Sequence, residues 1–163
     1  MDIITDASSI INLANAAALD AVTALPNRTI CLSPLVISEC EPTCAAELLR
    51  LQQDGLIKFV DPQQISSELF LTLLEEHDLG EGETECLALL QKGDYVLCCD
   101  DDKARKIGVT LVGVNRVVGS IRLLKWAVED GICTCDEAFE HYQRMKAAGG
   151  FLPEIVREWF EIE

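Results

Sequence analysis

Two rhythms of apolar residues alternate along the chain. Short runs of β-branched or apolar residues, bounded by turn formers, lie at residues 2–5 (DIIT), 29–32 (TICL), 56–60 (LIKFV), 95–99 (YVLCC) and 110–114 (TLVGV). Their length and composition predict five strands. Between them, apolar positions recur at helical spacing over residues 8–22, 34–53, 66–77, 83–91 and 103–107, and after the fifth strand over 118–130, 136–147 and 153–160. Strand and helix in alternation favour parallel strands joined by crossovers. The expected fold is therefore α/β, a three-layer α/β/α sandwich around a five-stranded parallel sheet. At 163 residues the chain is expected to form one domain, residues 1–163, with no internal repeat, low-complexity tract or long linker.

Composition sharpens this picture in three ways. Hydrophobic residues make up 49% of the chain, yet no uninterrupted run reaches the ~18 residues that span a bilayer, so a membrane role is not expected. The opening MDIITDASS carries an acid where a secretory signal needs positive charge, which points to a cytoplasmic protein. Eight cysteines mostly sit among apolar neighbours, where a reduced thiol behaves as a small hydrophobe, and they read as core residues. Charge is the third: 28 acids against 13 bases leave a net −15, the opposite of what a generic nucleic-acid binder needs to neutralise phosphates. Either the partner is not a polyanion, or cations mediate the contact.

In an open parallel sheet, chemistry collects outside the carboxyl ends of the strands. There the sequence places Asp6 after the first strand, Asp100 and Asp101 after the fourth, Glu39 on the second helix, and Glu83 and Glu85 on the helix that follows LGEGE. The helical neighbours of Glu83 at i+3, i+4 and i+7 are Cys86, Leu87 and Leu90, so its carboxylate is expected on the sheet-facing stripe. Each acid alone has a structural use. Asp6 and Asp101 suit N-caps, Glu83 and Glu85 suit a first helical turn, and Glu39 suits a solvated face. Together they pose a different problem. Carboxylates converging at ~5 Å repel by about 3 kcal/mol per pair at an effective dielectric of ~20, and a divalent cation reverses that. All-oxygen ligands without histidine suit Mg²⁺ or Mn²⁺ rather than Zn²⁺.

Taken in order, IITDASSIINLA, LSPLVISEC, GEGETECLALL and VLCCDDDKAR resemble the successive acidic motifs of PIN-domain nucleases. VVGSIRLLKWAVEDGIC and GGFLPEIVREWF are similar to the Gly-Thr helix segment and Gly-Phe tail of a compact prokaryotic subgroup that includes the VapC-type toxin ribonucleases. Ser120 stands where that subgroup usually has Thr, Pro42 soon after Glu39 is a signal that its helix breaks early, and the stretch 108–118 is slightly longer than is typical. The resemblance implies that Asp6, Glu39, Glu83 and Asp101 are the catalytic, metal-binding acids, with Asp100 and Glu85 as auxiliary ligands of Mg²⁺ or Mn²⁺. It implies a hydrolase cleaving RNA phosphodiester bonds, an endoribonuclease acting as the toxin of a toxin-antitoxin pair, with a small antitoxin as partner.

Ser8, Lys103 and Arg105 are candidate substrate contacts. Ser8 reads more readily as a first-turn helix residue, and the two cations equally as surface charges balancing the acids. Trp126, Trp159 and Phe160 leave two uses open, core packing or an apolar face for docking or a homodimer. A catalytically silent PIN fold that binds nucleic acid or protein is the alternative function. Other chemistries lack support. Cys133, Cys135 and His141 do not supply a zinc ligand set at the usual spacing, and His77 and His141 accompany no nucleophile elbow.

Overall fold

The computed structural model describes residues 1–162 apart from the side chain of Pro62; Glu163, the last residue of the expected domain, lies outside them. Five strands, β1 (Asp2–Thr5), β2 (Thr29–Leu32), β3 (Ile57–Phe59), β4 (Tyr95–Cys98) and β5 (Val117–Val118), form one all-parallel sheet in the order β3-β2-β1-β4-β5. The central strand β1 is covered on both faces, and its Ile3 and Ile4 are wholly buried. Of the helices, α1 (Ala7–Asn15), α2 (Leu19–Thr23), α7 (Ser120–Glu129) and α8 (Cys135–Ala147) pack together, while α4 (Ser67–His77), α5 (Glu81–Lys92) and α6 (Asp102–Val112) form a second group. The long α3 (Pro34–Gln53) touches both α1 and α5. The α/β sandwich with its five parallel strands is as the sequence predicts.

Four expectations need correction. The fifth strand is not 110–114, because the helix expected to stop at Ile107 runs on through Val112. Ala104, Ile107, Gly108 and Leu111 form one helical stripe against the sheet, and Gly108 allows the close approach. A Cβ there would sit 2.9 Å from Leu97 Cδ2. Gly113, at φ +88°, ends the helix, and the strand follows at Val117. The helix expected over 8–22 is two, since Ala17 takes a left-handed φ of 54° between α1 and α2. Pro42 does not end α3, which continues through a kink at Cys44, beyond Glu39. Finally, 153–160 is an extended tail with one 3₁₀ turn (Arg157–Phe160). Tyr142 Oη donates to Pro153 O and accepts from Ile155 N, which holds the backbone straight.

All eight cysteines are free thiols, six of them buried. Phe160 is wholly buried, Trp126 is half-buried, and Trp159 stays 37% exposed, so the aromatic trio divides between core and surface. No described helix is long and apolar enough to cross a membrane.

Candidate metal and nuclease site

The site is built from strand ends. Thr5 pairs with Cys98 across β1 and β4, Asp6 N donates to Cys98 O, and Cys99 N donates to Val118 O, so the residues following β1, β4 and β5 emerge side by side. Asp6 is 1% exposed and N-caps α1. Its Oδ1 accepts from Ser9 N at 2.9 Å, and its Oδ2 accepts from Ser8 Oγ at 2.5 Å and from Cys99 Sγ at 3.1 Å. Burial pushes its pKa above the ordinary carboxylate range, with those hydrogen bonds opposing the rise. Asp101 N-caps α6 through Ala104 N at 2.8 Å. Capping and clustering thus coexist: using an aspartate to start the helix after a parallel strand also brings its carboxylate to the sheet edge.

Glu39, in the second turn of α3, is exposed, and its Oε1 accepts from Gly82 N at 3.0 Å. A larger residue at 82 would displace that carboxylate, since a Cβ there lies 2.7 Å from its oxygen. Glu83 does not face the sheet as its spacing predicts. Its carboxylate turns back to accept from Gly80 N at 3.1 Å, satisfying the N-cap backbone of α5, and stays half-exposed. The buried acid of this helix is Glu85, 5% exposed, whose Oε2 accepts Leu35 N at 2.9 Å and so satisfies the first turn of α3 from outside. The Glu83 pKa is raised, first by burial and then by the charges of Asp101, Asp6 and Glu39, against the hydrogen bond from Gly80. These four acids therefore lie within one another's field. None of the four makes a salt bridge among the described residues.

Asp100 stands slightly apart. Its Oδ1 accepts Ser120 N at 2.8 Å, and its Oδ2 accepts Ser120 Oγ at 2.7 Å and Asn12 Nδ2 at 2.8 Å, tying α1 and the start of α7 to the end of β4. Lys103 points away, to Asp78 O at 2.8 Å and its carboxylate at 3.8 Å. Arg105 stays close: a Cβ on Gly119 would sit 3.0 Å from both Arg105 Nη1 and Asp100 Oδ1. Sequence reasoning missed Asn12, Cys99 and Gly82. Asn12 alone carried a signal, a polar residue one turn after Ser8 and set between Ile11 and Leu13.

The donor set is hard oxygen without cationic neutralisation, which fits a divalent ion of the Mg²⁺ or Mn²⁺ kind. Among the described residues no three His, Cys, Asp or Glu gather as tightly as a preformed metal cluster. Glu39 and Glu83 are each held by one backbone hydrogen bond, so either side chain is free to exchange that bond for another.

Comparison with curated proteins and with solved structures found no significant match. A family profile described as a PIN domain matches residues 2–160, nearly the whole chain. PIN domains are generally nucleases, commonly served by divalent metals. The order of the acidic strand ends, the five parallel strands and that profile agree: this chain belongs to the PIN-domain family.

Proposed function

We propose that the protein is a Mg²⁺- or Mn²⁺-dependent endoribonuclease, the toxin half of a toxin-antitoxin pair working in the cytoplasm. The observation that carries this reading is the mutual field of Asp6, Glu39, Glu83 and Asp101 at one sheet edge, with no cation of the protein paired to them. Folding gains nothing from that repulsion, and a bound divalent ion would relieve it.

Asp6, Asp101, Glu39 and Glu83 would hold the ion, with Asp100 and Glu85 behind them. Metal in such a site lowers the pKa of water and stabilises charge on a phosphodiester undergoing in-line hydrolysis. The chain's own part is orientation. Ser8 and Cys99 fix the Asp6 carboxylate, Ala104 N fixes that of Asp101, and burial of Asp6 limits competing water. The antitoxin fits the same electrostatics, since an inserted Arg or Lys would answer the acidic edge as a metal does. A homodimer would use the exposed part of Trp159.

A second reading is a catalytically silent PIN fold serving as a binding module. It is favoured by the lack of a preassembled ligand cluster among the described residues and by the use of Glu85 as a cap for α3. Incubating purified protein with a panel of labelled RNAs, with and without Mn²⁺, beside Asp6→Asn, separates the two. The nuclease reading expects Mn²⁺-dependent fragments, reduced in Asp6→Asn by more than the ~10–100-fold typical of an outer-shell partner. RNA left intact throughout favours the silent module.

A further inference from the structure

Two adjoining grooves lie beside the acidic edge rather than over it. Each encloses about 700 Å³, 700 and 730 Å³ respectively, and they share Asp100, Arg105, Leu152 and Pro153 as a common wall. Arg122 and Trp159 line one groove, and Phe151, which is 92% exposed, lines the other.

Their cations are unusual for this chain. Acids outnumber bases 28 to 13, and nearly every basic side chain is engaged by a carboxylate or a backbone carbonyl. Arg116 and Lys125, for instance, are held by backbone carbonyls. Among the described residues only Lys92, Arg105 and Arg122 make no salt bridge and no hydrogen bond to a carbonyl, and the two arginines line the same groove. Arg122 lies 5.6 Å over the Trp159 ring. In the first groove the two guanidiniums face one lining carboxylate, that of Asp100, which is already engaged by Ser120 and Asn12, and they leave an excess of one positive charge; in the second, Arg105 and Lys106 balance Asp100 and Asp102. Aromatic faces beside unpaired arginines are the combination that stacks unpaired bases while neutralising phosphates, and it does not suit a closed duplex.

We propose that the two adjoining grooves together form the track for a single-stranded RNA segment, with Arg105 and Arg122 on its phosphates and Phe151 and Trp159 against its bases, leading past Asp100 to the acidic edge. The assignment rests on the nuclease reading for its purpose and on the grooves' own chemistry for its location.

The test measures binding and cleavage separately. Binding is read by fluorescence anisotropy of a labelled, unstructured 12-nucleotide RNA on the Asp6→Asn protein in EDTA, where cleavage is suppressed. Arg122→Glu is expected to weaken binding at least tenfold and Phe151→Ala about fivefold or more. The double variant Arg105→Gln/Arg122→Gln should lower the slope of log K against log salt by about 1.4, two single-strand phosphate contacts. A duplex of the same sequence should bind more weakly. Arg122 and Phe151 are exposed, so thermal melts should match the parent.

Unchanged affinity in Arg122→Glu and Phe151→Ala overturns the proposal, as does preference for the duplex or equal binding of a poly-glutamate peptide. Groove-dependent RNA binding without any Mn²⁺-dependent cleavage by the unmutated protein would leave the track standing and sink the nuclease reading. Cleavage whose KM ignores the groove variants would do the reverse.

Discussion

At the scale of single residues, the acidic edge separates fold from site with unusual clarity, because two positions serve one and strain the other. Asp6 keeps its helix cap if its side chain becomes an amide, yet its burial disfavours the charge. Asp6→Asn should therefore raise the melting temperature of metal-free protein at pH 7 while abolishing the further rise produced by millimolar Mn²⁺. Equal Mn²⁺ shifts in both proteins, read by differential scanning fluorimetry, would remove Asp6 from the ligand set. Gly82→Ala is the complementary test. Alanine at a helical position gains up to about 1 kcal/mol over glycine, and the obstructing atom is the end of the flexible Glu39 side chain. Stability should hold or rise, whereas Mn²⁺-dependent cleavage should fall because Glu39 is pushed from Gly82. Asp6 and Asp101 were legible from sequence because a strand end followed by an acid and a helix start is a local pattern, whereas Glu39, already in the second turn of α3, was placed by its motif rather than by such a pattern. The turned-back carboxylate of Glu83 was not, since spacing places the helix face, whereas the hydrogen bond from Gly80 N chooses the rotamer.

Elements show where local preference yields to tertiary context. TLVGV has strand composition, yet its first three residues finish α6, because Ala104, Ile107, Gly108 and Leu111 together bury a helical face that a five-residue window does not reveal. The true β5 has two residues and carries little signal of its own. Arg116, just before it, donates to Tyr95 O, Leu90 O and Gly93 O, binding the end of α5 and the start of β4. Hydrogen bonds from a charged group are worth about 1.5–3 kcal/mol each and do not add fully. Arg116→Ala should cost about 2–4 kcal/mol in urea unfolding, and Arg116→Lys, lacking the fork that reaches three carbonyls, should recover only part of it. A loss below about 1 kcal/mol would mean that β5 holds its place without this clamp. The tail over 153–160 is the same lesson in reverse: its apolar spacing looks helical, but the Tyr142 hydroxyl takes its backbone groups in extended form.

For the whole molecule, what matters is how a chain of net charge −15 distributes its repulsion. Many surface acids pair with the scarce bases through largely exposed ion pairs of little individual weight. The acidic edge has no such relief, and its signature is the raised pKa of Asp6 and Glu83, in both cases chiefly from burial and, for Glu83, then from Asp101, Asp6 and Glu39. Raised carboxylate pKa values mean that the folded state binds more protons than the unfolded chain between the two sets of values. The slope of stability against pH is therefore negative in that window. The penalty is complete above the folded pKa values and disappears as pH falls through them toward the unfolded values of about 4. Metal-free protein in EDTA should accordingly gain stability from these groups on going from pH 7 to pH 5. Asp6→Asn should show a smaller gain, and saturating Mn²⁺ should erase it, because a bound cation holds the acids ionised. Thermal melts across that range, with and without Mn²⁺, check all three at once. A wild-type melting point that falls steadily toward pH 5 in EDTA would show that the acids at this edge do not repel one another strongly enough to call for a cation.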